Sequence, residues 1–304
     1  MPSASRPEEG AMLATPLTVP PSEAAAASPP PVVAAARPLA PSAAPRPRRS
    51  LRPWLLPVLA PTIGMALLVG LWTLLTQKGG AFPTPAATWG AALQLFADPF
   101  YVKGPNDQGI GWNILASLQR VGIGFGLAAL VGIPLGFALG RFAFLAQMLG
   151  PLISLLRPVS PLAWLPIGLL AFKSADPAAI WTIFICSIWP MILNTAQGVQ
   201  RVPQDYLNVA RVLNLSEWKL ITRILFPAVL PYLLTGVRLS VGTAWLVIVA
   251  AEMLTGGAGI GFWLWDEWNN LNVAHILIAI FVIGLVGLLL EQLLMAVGRR
   301  FSHD

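Results

Sequence analysis

Between Trp54 and Thr76 the chain runs 23 residues without a charged side chain. About 20 mostly apolar residues are enough to cross the hydrocarbon layer of a bilayer as a helix. Five more stretches of that kind follow. They run from about Asn113 to Gly140 with Arg120 inside, and from Leu145 to Phe172, which is broken by Pro158, Pro161 and Pro166 and carries Arg157. The next are Ala178 to Val199 without a charge, Tyr232 to Leu254 with Arg238 and Glu252, and Val273 to Val297 with His275 and Glu291. Only 11% of the 304 residues are charged and 56% are hydrophobic, whereas soluble domains devote roughly a quarter to charge. One water-soluble core cannot hide that much apolar surface. The predicted fold is all-α and integral to a membrane, with about six transmembrane helices and both termini on one side.

Residues 1–52 form a separate region by composition. The first 50 hold 12 of the 29 prolines and no aromatic residue, so they offer no periodic apolar face and are expected to be disordered. A cleavable signal would place basic residues before a short apolar stretch. Here Arg46, Arg48, Arg49 and Arg52 come last, directly before the first span. The expectation is a cytoplasmic Ala/Pro-rich tail over 1–52 and a transmembrane domain over 53–304.

The charged residues orient the spans. With six of them, Arg141, Arg201, Arg211, Lys219, Arg223, Arg299 and Arg300 fall on the side of the tail. The other side holds Lys78, Lys103 and Lys173 with Asp98, Asp107, Asp176, Asp266 and Glu267. The side richer in Lys and Arg is cytoplasmic by the positive-inside rule. The 19 Lys and Arg therefore mark orientation and are too scattered for a nucleic-acid surface. Gly122, Gly126, Gly132, Gly136 and Gly140 are expected to share one face of the second span, where small residues let helices approach closely. Cys186, the one cysteine, reads as a small core hydrophobe.

Catalytic motifs are missing. No lysine follows a glycine, so there is no Walker A loop to cradle nucleotide phosphates. There is no HExxH and no G-x-S-x-G, and the histidines are His275 and His303 alone. The content of the chain must be transport, gating or partner binding.

The longest loop on the basic side, about residues 200–227, reads "QRVPQDYLNVARVLNLSEWKLITRILFP". Leu207, Ala210, Arg211 and Asn214 recur at helical spacing, so a short amphipathic helix is expected after Pro203, with Asp205 in its first turn. Such a helix could dock a partner or lie flat on the bilayer.

This segment resembles the cytoplasmic signature of ABC-importer permeases, a Glu-Ala-Ala triplet followed after three residues by Gly. Tyr206, Ala210, Arg211, Leu213 and Ser216 fit that pattern, as do Pro227 and Pro231. Asn208 stands where Glu is usual, Val209 replaces the first Ala, and Asn214 replaces the Gly. The resemblance covers about residues 110 to 300 and implies a type I ABC-importer permease fold. It also implies that Asp205, Tyr206, Asn208, Val209, Ala210, Arg211, Leu213, Asn214, Leu215 and Ser216 form a coupling helix seated on a separate ATPase. Ala210 is expected at the surface of that helix. ATP and Mg would then be bound by the partner, and this chain would bind no cofactor. The stretches "RPVSPLAWLPIGLLAF", "IWPMILNTAQGVQ" and "AEMLTGGAGIGFWLWDEWNN" look most similar to nitrate-type permeases of the nitrate, sulfonate and taurine branch, with bicarbonate and cyanate importers near by. The same resemblance implies a periplasmic or lipid-anchored solute-binding protein, pairing of two permease copies, and a place in the bacterial inner membrane.

A small anion inside the membrane needs donors or positive charge, and ionisable groups within spans are costly enough to suggest function. Arg120, Arg157 and Arg238 are the candidates for the substrate pathway. The alternative is that each lies near a cytoplasmic helix end and snorkels to the headgroups. Glu252 would repel an anion, so it reads as part of an ion pair or hydrogen bond. Thr255–Asn272 reads as an external turn-rich segment, with Trp263, Trp265 and Trp268 as interface anchors. Asp266, Glu267, Asn269, Asn270 and Asn272 would face water there and could dock the binding protein. A secondary transporter would show inverted repeats and paired intramembrane acids, and none is visible. A scaffold without a pathway is the remaining class.

Overall fold

The computed structural model describes residues 52–80, 82–104 and 107–301. The chain divides into two units, 1–56 and 57–304. The tail expected to be disordered lies outside the described residues apart from Arg52. The spans belong to the second unit, from Pro57 onward.

Helices α1 (Arg52–Thr76), α3 (Ile110–Arg141), α6 (Ala175–Gln200) and α11 (Val273–Phe301) match four of the expected spans. A fifth is α9 (Phe226–Thr255), which a short α8 (Glu217–Leu220) and one π-helical turn (Ile221–Leu225) extend backwards into a continuous helical run. The proline-broken region is two helices, α4 (Ala143–Leu156) and α5 (Pro161–Phe172), bent by 99° at a break of four residues. Pro158 and Pro161 explain the break, because neither ring nitrogen can donate and each restricts the residue before it. Among the described residues five helices are long and apolar enough to span a membrane, and the bent pair, counted as one span, makes six. Between the spans lie α2 (Pro85–Leu95), α7 (Gln204–Val212) and α10 (Ile260–Asn269).

Helix α6 is the axis of the bundle and packs against α3, α5 and α9. The α3–α6 seam depends on missing side chains. A Cβ added at Gly124, Gly132, Gly136 or Gly140 would sit 2.7, 2.9, 2.6 and 2.5 Å from the Cβ of Ile183, Met191, Thr195 and Val199. With Ala128, these residues recur every fourth position and make one small-residue ridge. Lipid supplies no hydrophobic drive between helices, so close backbone approach has to supply the packing. Gly122 and Gly126 are not on this ridge, since added Cβ atoms there meet nothing within 4 Å. The expectation of one five-glycine face is corrected: the step from Gly126 to Gly132 is six positions, roughly 240° around a helix.

Cys186 is buried in the α3–α6–α9 core beside Ile183 and Val247. The outer faces of α1 and α11 carry exposed leucines such as Leu67, Leu75, Leu289 and Leu293, the surface a bilayer covers. The two ends of the bundle differ. Arg141, Arg201 and the α7–α8 segment lie at one end, and Asp98, Asp176 and α10 at the other.

Candidate functional site

At the basic end, α7 rests on the bundle through one face. Ala210 is 4% exposed and packs in a cluster with Val199, Val202, Leu220, Leu225 and Val229, with Leu207 and Leu215 alongside. The expectation of a surface alanine is thereby corrected: this position needs a small side chain because it is pressed against the ends of α6 and α9. Away from that cluster Val209 and Val212 are exposed, Val212 to 80%, flanked by the exposed Tyr206 and Leu213. Tyr206, Val209 and Val212 on this nine-residue helix, with Leu213 just after it, form an apolar surface that has no partner among the described residues.

The same segment is fixed at both ends. Pro203 starts the helix and Asp205 lies in its first turn, where a carboxylate complements the positive end of the helix dipole. Arg211 Nη1 donates to Asn208 Oδ1 at 3.3 Å. Asn214 has φ of +48°, and the Leu215 N–H donates to the Ala210 carbonyl at 3.0 Å, closing the helix with a left-handed residue. Ser216 then caps α8 by accepting from the Lys219 N–H at 3.4 Å. Arg141, at the end of α3, reaches Glu217 through Nη2 at 2.7 Å and Nε at 3.2 Å.

The three intramembrane arginines have different surroundings. Arg120 belongs to a buried polar cluster at the acidic end. Its Nη1 donates to Glu252 Oε1 at 2.7 Å and to the Ala258 carbonyl at 2.6 Å, and its Nε donates to Asp176 Oδ1 at 2.9 Å. Glu252 is 1% exposed, and Ser117 Oγ and the Gly261 N–H also reach it, at 2.8 and 3.0 Å. The Ile260 N–H donates to Ser117 Oγ and the Gly259 N–H to Asn113 Oδ1. A Cβ at Gly259 would fall 2.3 Å from the Glu252 carboxyl carbon, and one at Gly261 would fall 2.2 Å from the Val249 carbonyl oxygen. The glycine-rich turn is therefore wrapped around a buried carboxylate whose oxygens all have partners. Arg120 lies at the end of the bundle opposite Arg141, with its guanidinium held by Glu252, Asp176 and the Ala258 carbonyl.

Arg238, on α9, pairs with Glu291 on α11, beside a cavity of ≈ 670 Å³ that Thr235, Gly242, Gly284 and Gly287 also line. Arg157 sits at the α4–α5 elbow. It is exposed, lines a depression of ≈ 450 Å³ with Ile153, Ser154, Pro158 and Leu193, and has no carboxylate partner among the described residues.

The external segment is partly as expected. Gly256 and Gly257 have φ of +77° and +88° and make the turn. Trp265 and Trp268 are exposed, but Trp263 is buried and its ring stacks on His275, centroids 5.8 Å apart. It is therefore a core residue rather than an interface anchor. Asp266, Asn269 and Asn270 face outward. Glu267 turns in instead, to 2.9 Å from His275 Nδ1, and the half-buried Asn272 accepts from the His275 N–H at 3.3 Å. Sequence reasoning assigned Glu252 to a pair but missed Ser117 and Asn113. A serine and an asparagine at the start of a span gave no signal that could be told from ordinary helix.

An alternating bundle of six apolar passes, with a polar helix held against one end, is a multi-pass membrane protein. The chain belongs to the family of binding-protein-dependent transport system inner membrane components, whose profile matches residues 132–303. The nitrate import permease protein NrtB of Leptolyngbya laminosa is 48% identical over 242 residues, covering 80% of this chain and 87% of that protein. The NrtB of a Synechocystis species is 45% identical, covering 83% and 93%. The bicarbonate transport system permease protein CmpB of Synechocystis is 44% identical, covering 77% and 86%. A chain in a structure of the inward-facing MetNI methionine ABC transporter superposes with a TM-score of 0.53 at 14% identity, covering 62% of this chain and 92% of that one. That likeness shows the shared fold, a type I ABC permease bundle.

Proposed function

We propose that this chain is the membrane-spanning subunit of an ATP-driven importer that carries nitrate by alternating access, and that ATP and Mg are bound by a separate ATPase. The observation that supports the coupling is the outward apolar surface of α7, Val209 and Val212 flanked by Tyr206 and Leu213. Its inward face is pressed on the ends of the spans, so the outward one points away from the bilayer and suits a protein groove better than lipid. The basic end, with Arg141, Arg201, Arg211, Lys219 and Arg223, is then cytoplasmic by the positive-inside rule. The opposite end offers Trp265, Asp266, Trp268 and Asn269 of α10 to a solute-binding protein. The centre of the bundle is filled by α6, which favours a pathway between two permease copies over one through a single copy.

Nitrate rests on the names of relatives 44 to 48% identical. Bicarbonate is the second reading, because the CmpB relatives are 43 to 44% identical. The test is reconstitution of the permease with its ATPase and binding protein in vesicles. ATP-dependent uptake of tracer nitrate that ceases without the ATPase supports the proposal. Uptake of bicarbonate alone selects the second reading, and uptake without any ATPase refutes both.

A further inference from the structure

We infer that Arg157 is the cation a permeating anion meets inside the membrane, held at the α4–α5 elbow; the inference rests on the reading of the chain as an anion importer. Three arginines lie within the spans, and the surroundings of two leave little charge to offer. Arg120 is bound by Glu252 and Asp176, and Arg238 by Glu291. A guanidinium already paired with a carboxylate must give up that partner before it can attract another anion. Arg157 has no such partner among the described residues, so its full positive charge is available.

Its position fits the role. The depression it lines reaches Leu193 on α6, seven residues before the end of that helix at Gln200, which is roughly 10 Å along the axis. At that depth the chain is also irregular, because Arg157 to Ser160 form the break in a 99° bend. Non-helical backbone inside a membrane is tolerated where protein covers it or where it lines a water-filled cavity. A bare guanidinium and an open backbone at one elbow, both exposed in the single chain, point to such a cavity. The lining is also chemically suitable. Ser154 offers a hydroxyl, Ile153 and Leu193 are apolar, and no acid lines the depression to repel an anion. A planar oxyanion of one charge can accept two N–H bonds from the guanidinium fork, which an ammonium cannot present in that geometry. One contact of this kind holds the anion without trapping it.

The shared chemistry is a single anionic oxygen group, and an acidic lipid headgroup could also supply it, so the test separates the two. The whole complex, permease with ATPase and binding protein, is reconstituted in phosphatidylcholine vesicles with and without phosphatidylglycerol, carrying Arg157→Gln or Arg157→Lys. The readout is nitrate moved per ATP hydrolysed, which a fold defect alone does not change in the surviving fraction. Arg157→Gln is expected to lower that ratio about tenfold or more in both vesicles, the effect of losing one charge-assisted hydrogen bond. Arg157→Lys, which keeps the charge but not the fork, is expected to restore only part of it. An unchanged ratio in Arg157→Gln overturns the assignment. So does a defect seen only with phosphatidylglycerol, which would make the partner a lipid, or a lysine variant as impaired as the glutamine one. If the unmodified complex moves no nitrate while hydrolysing ATP, the anion-importer reading itself fails, a result distinct from a failure at Arg157.

Discussion

Asn214 holds φ of +48° immediately after α7, a region costing most side-chain-bearing residues roughly 1–2 kcal/mol but Asn less and Gly almost nothing. The position where ABC permeases resembling this chain carry Gly is thus one where the backbone must turn left-handed, and the asparagine keeps that conformation. Asn214→Gly should leave thermal stability within a few tenths of a kcal/mol. Asn214→Val should cost about 1–2 kcal/mol and loosen α7, read as a lowered melting temperature of the purified permease. Equal stability of the two variants would show that the turn is not strained. The buried carboxylate is more demanding. Glu252→Ala leaves Arg120 short of a partner and empties the pocket beneath Gly259, and removing one member of a buried pair costs about 3–5 kcal/mol. Glu252→Gln, which keeps the shape, should be milder. Melting in detergent checks the order, and a Gln variant as unstable as the Ala variant would refute the charge argument. The acid was legible in the sequence because it interrupts an apolar run, whereas the serine and asparagine of its cluster were not. They lie 135 and 139 residues away in the chain, a separation no local pattern reports.

Among the elements, α7 was legible in period but not in facing. Its apolar residues fall on two sides, and only the packing on α6 and α9 shows that Ala210 turns in while Val209 turns out. This separates two substitutions that the sequence alone would treat alike. Val209→Asp places a charge on the exposed face, where stability should change by less than about 0.5 kcal/mol, while co-purification with the ATPase should fall sharply. Ala210→Asp buries an unpaired charge and should lower the melting temperature of the permease itself before any partner is added. Pull-down of the ATPase beside a melting curve of the permease distinguishes them. If Val209→Asp still binds the ATPase, the outward face of α7 is not the docking surface. The α3 ridge shows a related limit. Fourfold spacing was visible, but two of the five glycines fell out of register, because the step from Gly126 to Gly132 is six positions rather than four or eight. Gly124 and Ala128, which complete the ridge, looked ordinary.

At the scale of the whole molecule, span number and span direction are linked, because each added or lost pass reverses every later loop. The bent α4–α5 pair is where the sequence alone could miscount, but the parallel α3–α6 seam, from Gly124 on Ile183 to Gly140 on Val199, requires the pair to return across the bundle. A pair that re-entered the membrane and left on its own side would give five crossings, and α7 would then share a side with Asp98. The charges argue for six. With the pair as one crossing, Arg141, Arg201, Arg211, Lys219 and Arg223 gather at one end, against Lys78, Lys103 and Lys173 at the other. Splitting that basic group across the membrane would abolish the asymmetry that orients spans. The arrangement can be read directly by placing one reactive thiol at a time in a Cys186→Ser background, since Cys186 is the native cysteine and lies buried in the core. In intact spheroplasts a membrane-impermeant maleimide should label Asp98→Cys and Asp266→Cys, and should reach Lys219→Cys only after permeabilisation. A re-entrant pair predicts instead that the Asp98 and Lys219 positions label together. That outcome would also place α7 out of reach of any cytoplasmic ATPase, so one experiment on orientation tests the bent span and the docking role of the loop at once.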